Sequence, residues 1–324
     1  MNKVKIYGTL GPACSDPEVL KKMFSAGMDG IRLNLSHATL EESGDMVRNY
    51  HLAAEACGIR AELLIDLQGP ELRIGRLIEP VHLSEGSLIS LDAIPFPDNV
   101  LGGIQNRDGQ EILLDDGKIL LQTEGDMIRV IRGGVLEGRK SIALPGRSID
   151  TPALTGADIE NIRVAKRYGV TAVMQPFVRS KDDLAKVRSA LEEAGCGDIR
   201  IMAKIENLTG LAKIEELIPY CDEIVIARGD LGNAMELWEL PAAQKRISSA
   251  CRRAGRDFMV VTQMLESMTH RQVPSRAEVS DIFNAVLDGA SSVMVTGETA
   301  AGEYPELVIS YMAHTVREAE KYLQ

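Results

Sequence analysis

Ile201-Met202-Ala203-Lys204-Ile205-Glu206-Asn207 and its echo Ile224-Val225-Ile226-Ala227-Arg228-Gly229-Asp230 decide how the chain is read. Each is a short apolar run ending in charged residues, the pattern of a buried parallel strand where it emerges from its sheet. Alternation along a strand puts Lys204 and Glu206 on one face, one pleat apart. Asp230 arrives at the end of the next strand, so two carboxylates and an ammonium are expected at one rim. Two carboxylates with open space between them suit Mg²⁺, which takes one or two protein oxygens and leaves its other positions to water and substrate. A lysine beside them is a fixed cation for an anionic substrate, and such a rim fits phosphoryl transfer. The competing account is a Lys–Glu ion pair that merely holds two strands together.

Working outward, the same rhythm fills most of the chain. Strands are expected at Val4–Thr9, Ile31–Ser36, Ala61–Asp66, Val170–Met174, Ile199–Ile205, Glu223–Ala227, Phe258–Val261 and Ser292–Val295. Between them lie helical stretches: one begun by Asp16-Pro17 as cap and first residue, then Thr39–Cys57, Thr155–Tyr168, Lys181–Ala194, Leu208–Leu217, Pro241–Ala254, Arg276–Asp288 and Pro305–Tyr322. Eight βα units close into a TIM (β/α)8 barrel, an α/β fold whose active site lies at the C-terminal strand ends. An open doubly wound sheet is the alternative, and it lacks support because no Gly-x-Gly-x-x-Gly turn follows the first strand.

The rhythm breaks once. From about Gly75 to Arg139 no helical period is visible, and β-like pieces follow one another at Ser87–Asp92, Glu111–Leu114, Lys118–Thr123 and Met127–Arg132. Asp115-Asp116-Gly117 is a hairpin signal between two of them. The expected organisation is therefore a barrel over 1–74 and 140–324, with a small all-β domain over 75–139 inserted after the third strand.

At 324 residues the chain is long enough for a large barrel plus an insertion, and its formal charge of −11 argues against nucleic acid and anionic membranes as partners. Five scattered cysteines without a Cys-x-x-Cys pair fit reduced thiols and a cytoplasmic setting, as does the lack of a signal-like or membrane-spanning apolar run. An acidic protein that binds an anion needs local cations. The expected rim supplies Arg32, Asn34, Ser36 and His37 after strand two, Asp66 and Gln68 to Arg73 after strand three, and Thr262, Gln263 and Thr296 to Thr299 after strands seven and eight. Arg32, Asn34 and Ser36 alternate on one face of a buried strand and need partners there. Either they form a structural hydrogen-bond ring, or they bind a phosphate and a cation. His37 alone reads first as a satisfied polar residue and only second as a base. In Ala227–Gly232 the glycines allow backbone N–H groups to approach a carboxylate.

With these residues in view the chain resembles the pyruvate kinase family. The matching stretches are KIYGTLGP (5–12), IRLNLSH (31–37), DLQGPELRIG (66–75), Asp115-Asp116-Gly117, Leu144-Pro145-Gly146 and Lys204-Ile205-Glu206-Asn207. ARGDLG (227–232), TQMLESM (262–268), AVLDGA (285–290) and GETA (297–300) complete the set, in the family's order along nearly the whole chain. The resemblance implies the barrel, with the insertion as a nucleotide-closing lid. It implies transfer of the phosphoryl group of phosphoenolpyruvate to ADP, giving pyruvate and ATP. By the same resemblance Glu206 and Asp230 would hold magnesium, Lys204 and Arg32 would neutralise the moving phosphoryl group, and Thr262 would serve protonation of the enolate. The N–H groups of Gly229 and Asp230, with Thr296, would hold the substrate. Asn34, Ser36, Asp66 and the carbonyl of Leu67 would bind potassium. Arg73, His37, Asn34 and Lys140 would meet the nucleotide.

Departures from the family pattern qualify this. Leu67 replaces a threonine of the K⁺ site, Gln68 a lysine, Pro176 a serine and Thr296 a serine, while Glu42 stands where an aromatic residue is common. Glu71 is the acid typical of K⁺-dependent members, so K⁺ dependence is expected. The chain ends where the last barrel helix should, without the family's C-terminal domain. No activation by sugar bisphosphates is therefore expected, and a homodimer through barrel helices remains open. Two other functions stay in view: a Mg²⁺-dependent lyase acting on a pyruvate enolate, and a catalytically silent regulatory barrel.

Overall fold

A computed structural model describes residues 3–36, 38–105, 107–115, 117–147, 149 and 151–324. Eight parallel strands close into a barrel in sequential order: Lys5–Leu10, Gly30–Asn34, Glu62–Asp66, Ala172–Gln175, Arg200–Ile205, Glu223–Ala227, Asp257–Val261 and Ser292–Met294. Each expected barrel strand is present, with ends shifted by a residue or two. The helices pack outside, where Leu20, Met23, Tyr50, Ile65, Ile201, Ile247, Ile309 and Met312 belong to one large apolar cluster. Local signals set their ends. Asp16 accepts from the Glu18 N–H at 2.7 Å with Pro17 at the first helical position. Ser275 and Glu278 form a reciprocal cap on Arg276–Leu287.

The inward face of the strands is layered. Tyr7, Leu64, Met174, Met202, Val225, Met259 and Met294 fill the middle of the barrel as an apolar plug. Because side chains alternate, the residues two before and two after these positions face the same axis at its two ends. Strand five reads Arg200, Met202, Lys204 and strand three reads Glu62, Leu64, Asp66, so each carries charge at both mouths of the barrel.

At the N-terminal mouth Glu62 takes Lys5, Arg200 and the Tyr7 hydroxyl at once, while Arg200 also reaches Glu223 at 3.5 Å and Ser292 caps Glu223 at 2.5 Å. Burial pushes the Glu62 carboxyl up, but Lys5 and Arg200 outweigh it and hold it below the ordinary range. A depressed acid contributes stability above its unfolded value of about 4.3, and loses it as pH falls through its folded value. Glu62→Gln should therefore lower stability by about 1–3 kcal/mol at neutral pH, less than a fully buried pair because Glu62 is partly exposed. Urea unfolding at pH 7 and pH 3.5 checks this: the deficit should shrink at the acid end, with turnover unchanged because this mouth is remote from the rim.

The insertion leaves after strand three and returns before strand four. Its sheet pairs Ile142–Ala143, Glu111–Leu114, Ile119–Glu124, Met127–Arg132 and Leu88–Ser90, with a separate two-stranded ribbon of Val81–Leu83 and Gly134–Leu136. The expected hairpin is present, with Leu114 opposite Ile119 and Asp115 and Gly117 at positive φ. Asp116 lies outside the described residues. One expectation is corrected: the insertion is not wholly β, for Asp98–Ile104 is a helix that buries Val100 and Ile104 in the insertion's own core. That core extends from Ile74 to Leu144. The outgoing and returning segments run side by side, Ile142 N–H donating to Leu72 O at 2.7 Å and Ile74 N–H to Lys140 O at 3.0 Å.

Candidate functional site

At the C-terminal mouth the third layer of inward-facing side chains is charged. Lys204 Nζ lies 3.1 Å from Asp66 Oδ2 and 2.9 Å from Glu206 Oε1. Arg32 donates through Nε and Nη2 to Asp66 Oδ2, at 2.9 and 2.6 Å. Glu206 Oε2 accepts the Phe177 N–H at 2.8 Å. The ion pair of the competing sequence account thus exists, but it is one link in a chain of Arg32, Asp66, Lys204 and Glu206 that reaches an open cavity of about 270 Å³.

Arg32, Asn34, Ser36, Asp66, Leu67, Arg73, Lys140, Lys204 and Asp230 all line that cavity, so most of the expected residues meet. Glu206 and Asp230 also border a second, more apolar cavity of about 230 Å³ between insertion and barrel. Gly229, Thr262 and Thr296 line neither cavity. Gly229 and Asp230 lie in the first turn of the short helix Arg228–Asn233, and a Cβ at Gly229 would come within 3.0 Å of the Thr262 methyl. Thr296 is turned to Glu298, whose fully buried carboxylate accepts the Thr296 N–H at 2.6 Å and the Leu265 N–H at 3.2 Å. His37 lies outside the described residues.

Thr262 and Gln263 hold successive positive φ angles of 78° and 55°. Left-handed backbone is costly for a β-branched residue, of order 1–3 kcal/mol. The Arg228 guanidinium holds this segment by donating to the Thr262 carbonyl at 2.8 and 3.2 Å, and is itself fixed by Asp281 at 2.6 Å.

The electrostatics differ from what an anion site suggests at first sight. Each rim cation already has an acidic partner: Arg32 and Lys204 as above, Arg73 with Glu71 at 2.7 Å, and Lys140 with Asp115 at 3.0 Å and Glu137 at 3.2 Å. Four cations line the cavity beside Asp66, Glu71, Asp115 and Asp230, and Glu206 adds a fifth carboxylate behind Lys204. The described rim therefore has a slight acidic excess. Burial pushes the Asp66 carboxyl up, yet Lys204 and Arg32 overcome this and hold it below the usual aspartate range. Burial disfavours the Lys204 ammonium, but Asp66 and Glu206 more than compensate and raise its pKa. Glu71 is the opposite case. Burial, reinforced by Glu206, raises its carboxyl in spite of Arg73.

Cation binding can be tested against these donors. Glu206 and Asp230 bring hard oxygen donors to neighbouring strand ends, and among the described residues no three His, Cys, Asp or Glu side chains are grouped to hold a metal ion. A pair of carboxylates is the donor set a small divalent cation shares with its substrate. Asn34 Oδ1 accepts the Ser36 N–H at 3.1 Å, gathering two neutral oxygen donors beside Asp66. Leu67 packs its side chain into the outer core, which leaves only its carbonyl for a cation.

Sequence reading placed Asp66 at the rim as a cation ligand but missed three contacts. Asp66 anchors Arg32 and Lys204, Phe177 at φ 51° holds Glu206 through its backbone, and Arg228 with Asp281 fixes Thr262. Only the first had a visible signal, an acid at the end of a buried strand.

A family profile described as "Pyruvate kinase, barrel domain" matches residues 1–309. Pyruvate kinase of Aeropyrum pernix is 38% identical over 99% of this chain and 71% of its own length. That of Chlamydia pneumoniae is 34% identical over 100% and 70%, and that of Bacillus licheniformis 35% over 100% and 58%. No helix of the described residues is long and apolar enough to cross a membrane. A closed eight-stranded barrel with its charged rim, matched over nearly the whole chain at this identity, places the chain in the pyruvate kinase family.

Proposed function

We propose that this chain transfers the phosphoryl group of phosphoenolpyruvate to ADP, giving pyruvate and ATP, with Mg²⁺ and K⁺ as its cations. The observation that carries the reading is Lys204 Nζ, fixed between Asp66 and Glu206 and facing the same cavity as Arg32, Arg73 and Lys140. Because neighbouring carboxylates hold its proton, Lys204 acts as a fixed charge and not as a proton shuttle. A unit charge at ~4 Å is worth on the order of 4 kcal/mol at an effective dielectric near 20, enough for Lys204 and Arg32 to draw the phosphoryl oxygens to the cavity floor.

Glu206 and Asp230 would hold Mg²⁺, and Asn34, Ser36, Asp66 and the Leu67 carbonyl would hold K⁺. When bound, these ions supply the positive charge that turns a slightly acidic rim into one favourable to a phosphate ester. The N–H groups of Gly229 and Asp230, together with Thr296, would orient the substrate carboxylate. Arg73 and Lys140, with His37 and Asn34, would receive the nucleotide phosphates by exchanging Glu71 and Asp115 for them. Thr262 would orient the water that protonates the enolate carbon. That protonation traps the product as its ketone.

The presence of Arg73 and Lys140 at the same cavity favours this reading over a lyase, which needs no nucleotide contacts. Pyruvate release from phosphoenolpyruvate, followed with and without ADP, tests it. Product should require ADP, and ADP-independent release would refute the assignment. Potassium is tested separately. Loss of a monovalent charge near the phosphoryl group should slow turnover about tenfold or more when tetramethylammonium replaces K⁺. Equal rates in the two buffers would exclude K⁺ dependence.

A further inference from the structure

We propose that Asp158 is a positioning residue for both walls of the rim, acting on Glu206 and on the loop after strand three without touching substrate. The kinetic part of this inference rests on the function proposed above and the binding part on the metal site proposed there at Glu206 and Asp230; the amide-exchange part rests on neither. Asp158 is fully buried, near the start of the helix Gly156–Val164. Its Oδ2 accepts the Thr155 N–H and hydroxyl, each at 2.8 Å, completing a reciprocal cap. A cap needs no more than that.

Asp158 does more. Oδ1 also accepts the Gln68 N–H at 2.7 Å, and Oδ2 the Gly69 N–H at 3.0 Å. These two residues sit between Asp66 and Leu67 on one side and Glu71 and Arg73 on the other, all of which line the cavity. One carboxylate thus ties the loop leaving strand three to the helix that follows the insertion.

The tie continues to the opposite wall. Gly69 is buried at φ 57°, and a Cβ there would collide with the Pro176 ring. Gln175 secures that proline's neighbourhood by donating to the carbonyls of Ala153 (2.7 Å) and Pro176 (3.3 Å). The next residue, Phe177, donates its N–H to Glu206 Oε2. Asp158, Gly69, Pro176, Phe177 and Glu206 therefore form one contiguous packed path. Partners that orient a metal-binding carboxylate typically change metal affinity 10–100-fold when altered.

The experiment compares Asp158→Asn with Thr155→Ala, which weakens the same helix cap but touches neither Gln68 nor Gly69. Mn²⁺ binding is titrated by the electron-spin signal of the free ion, without substrate, and amide exchange is followed across residues 67–73. Asp158→Asn should weaken Mn²⁺ binding ~10-fold or more and speed exchange in that segment, and should raise the Mg²⁺ requirement of turnover. Thr155→Ala should lower stability while leaving both readouts at the parent level. Unchanged Mn²⁺ affinity in Asp158→Asn, or the same loss in both variants, would overturn the proposal. Should Asp158→Asn not fold, Pro176→Ala decides: it should weaken Mn²⁺ severalfold, and parent-like affinity would refute the path. A parent that binds Mn²⁺ but makes no pyruvate would defeat the functional reading alone.

Discussion

Lys204→Met should abolish measurable phosphoryl transfer, with kcat falling at least ~10³-fold, because one well-placed donor to a transition-state oxygen is worth ~10²–10³ and this one is also a full charge. Methionine has similar length and no charge, so packing beside Met202 is kept while the ammonium is lost. The change also leaves Asp66 and Glu206, at 2% exposure each, without the cation between them. Removing one partner of a buried ionic group costs about 3–5 kcal/mol, although Arg32 still serves Asp66 and lessens it here. Two readouts separate the effects. Thermal unfolding should show a moderate loss, largest at neutral pH where Asp66 is ionised and smaller as acid protonates it. Turnover should be absent throughout. Substantial pyruvate formation by the variant would remove the basis for the assigned chemistry.

The second large effect is expected at Asp66. Asp66→Asn leaves two rim cations, Arg32 and Lys204, facing a neutral amide. The amide accepts through one oxygen only, and its NH2 group turns a donor toward a donor. A stability loss near 3–5 kcal/mol and a fall in kcat of roughly 10²-fold should follow. The pH dependence carries a distinct signature. The folded-state pKa of Asp66 is depressed, so its contribution is present above the unfolded value of about 3.9 and vanishes as pH falls through the lower folded value. The gap between parent and variant should therefore be full and level above about pH 5, and close as pH falls from there toward the folded value. Chemical unfolding at stepped pH measures it, and a constant gap across that range would show that Asp66 is not ionised in the fold.

The barrel was legible because its strands are apolar runs between amphipathic stretches, and such runs have few other places to go. The rim was legible for a related reason. Lys204 and Glu206 sit two apart at the end of a buried strand, and alternation alone puts them together. What could not be read was pairing across strands. Asp66 looked like a cation ligand, and only closure of the barrel shows that strands two and five both send a positive side chain to it. The helix Asp98–Ile104 was missed because seven residues with two glycines carry no visible period. Leu208–Leu217, read as continuous, is two short helices that meet at Lys213. Asp158 was hidden within an ordinary capping pattern, since its further bonds depend on a loop nearly ninety positions away.

The contact between Gly69 and the Pro176 ring has a consequence for how such a protein can change over generations. While a pyrrolidine occupies one side, any side chain on the other is excluded, quite apart from the ~1–2 kcal/mol that a left-handed backbone imposes on non-glycine residues. Variation at the two positions is thus ordered: the proline must yield first, and only then does its neighbour gain any freedom. Libraries randomising both together should recover alanine at 69 only alongside a smaller residue at 176, so the history open to this rim is narrower than either position alone implies.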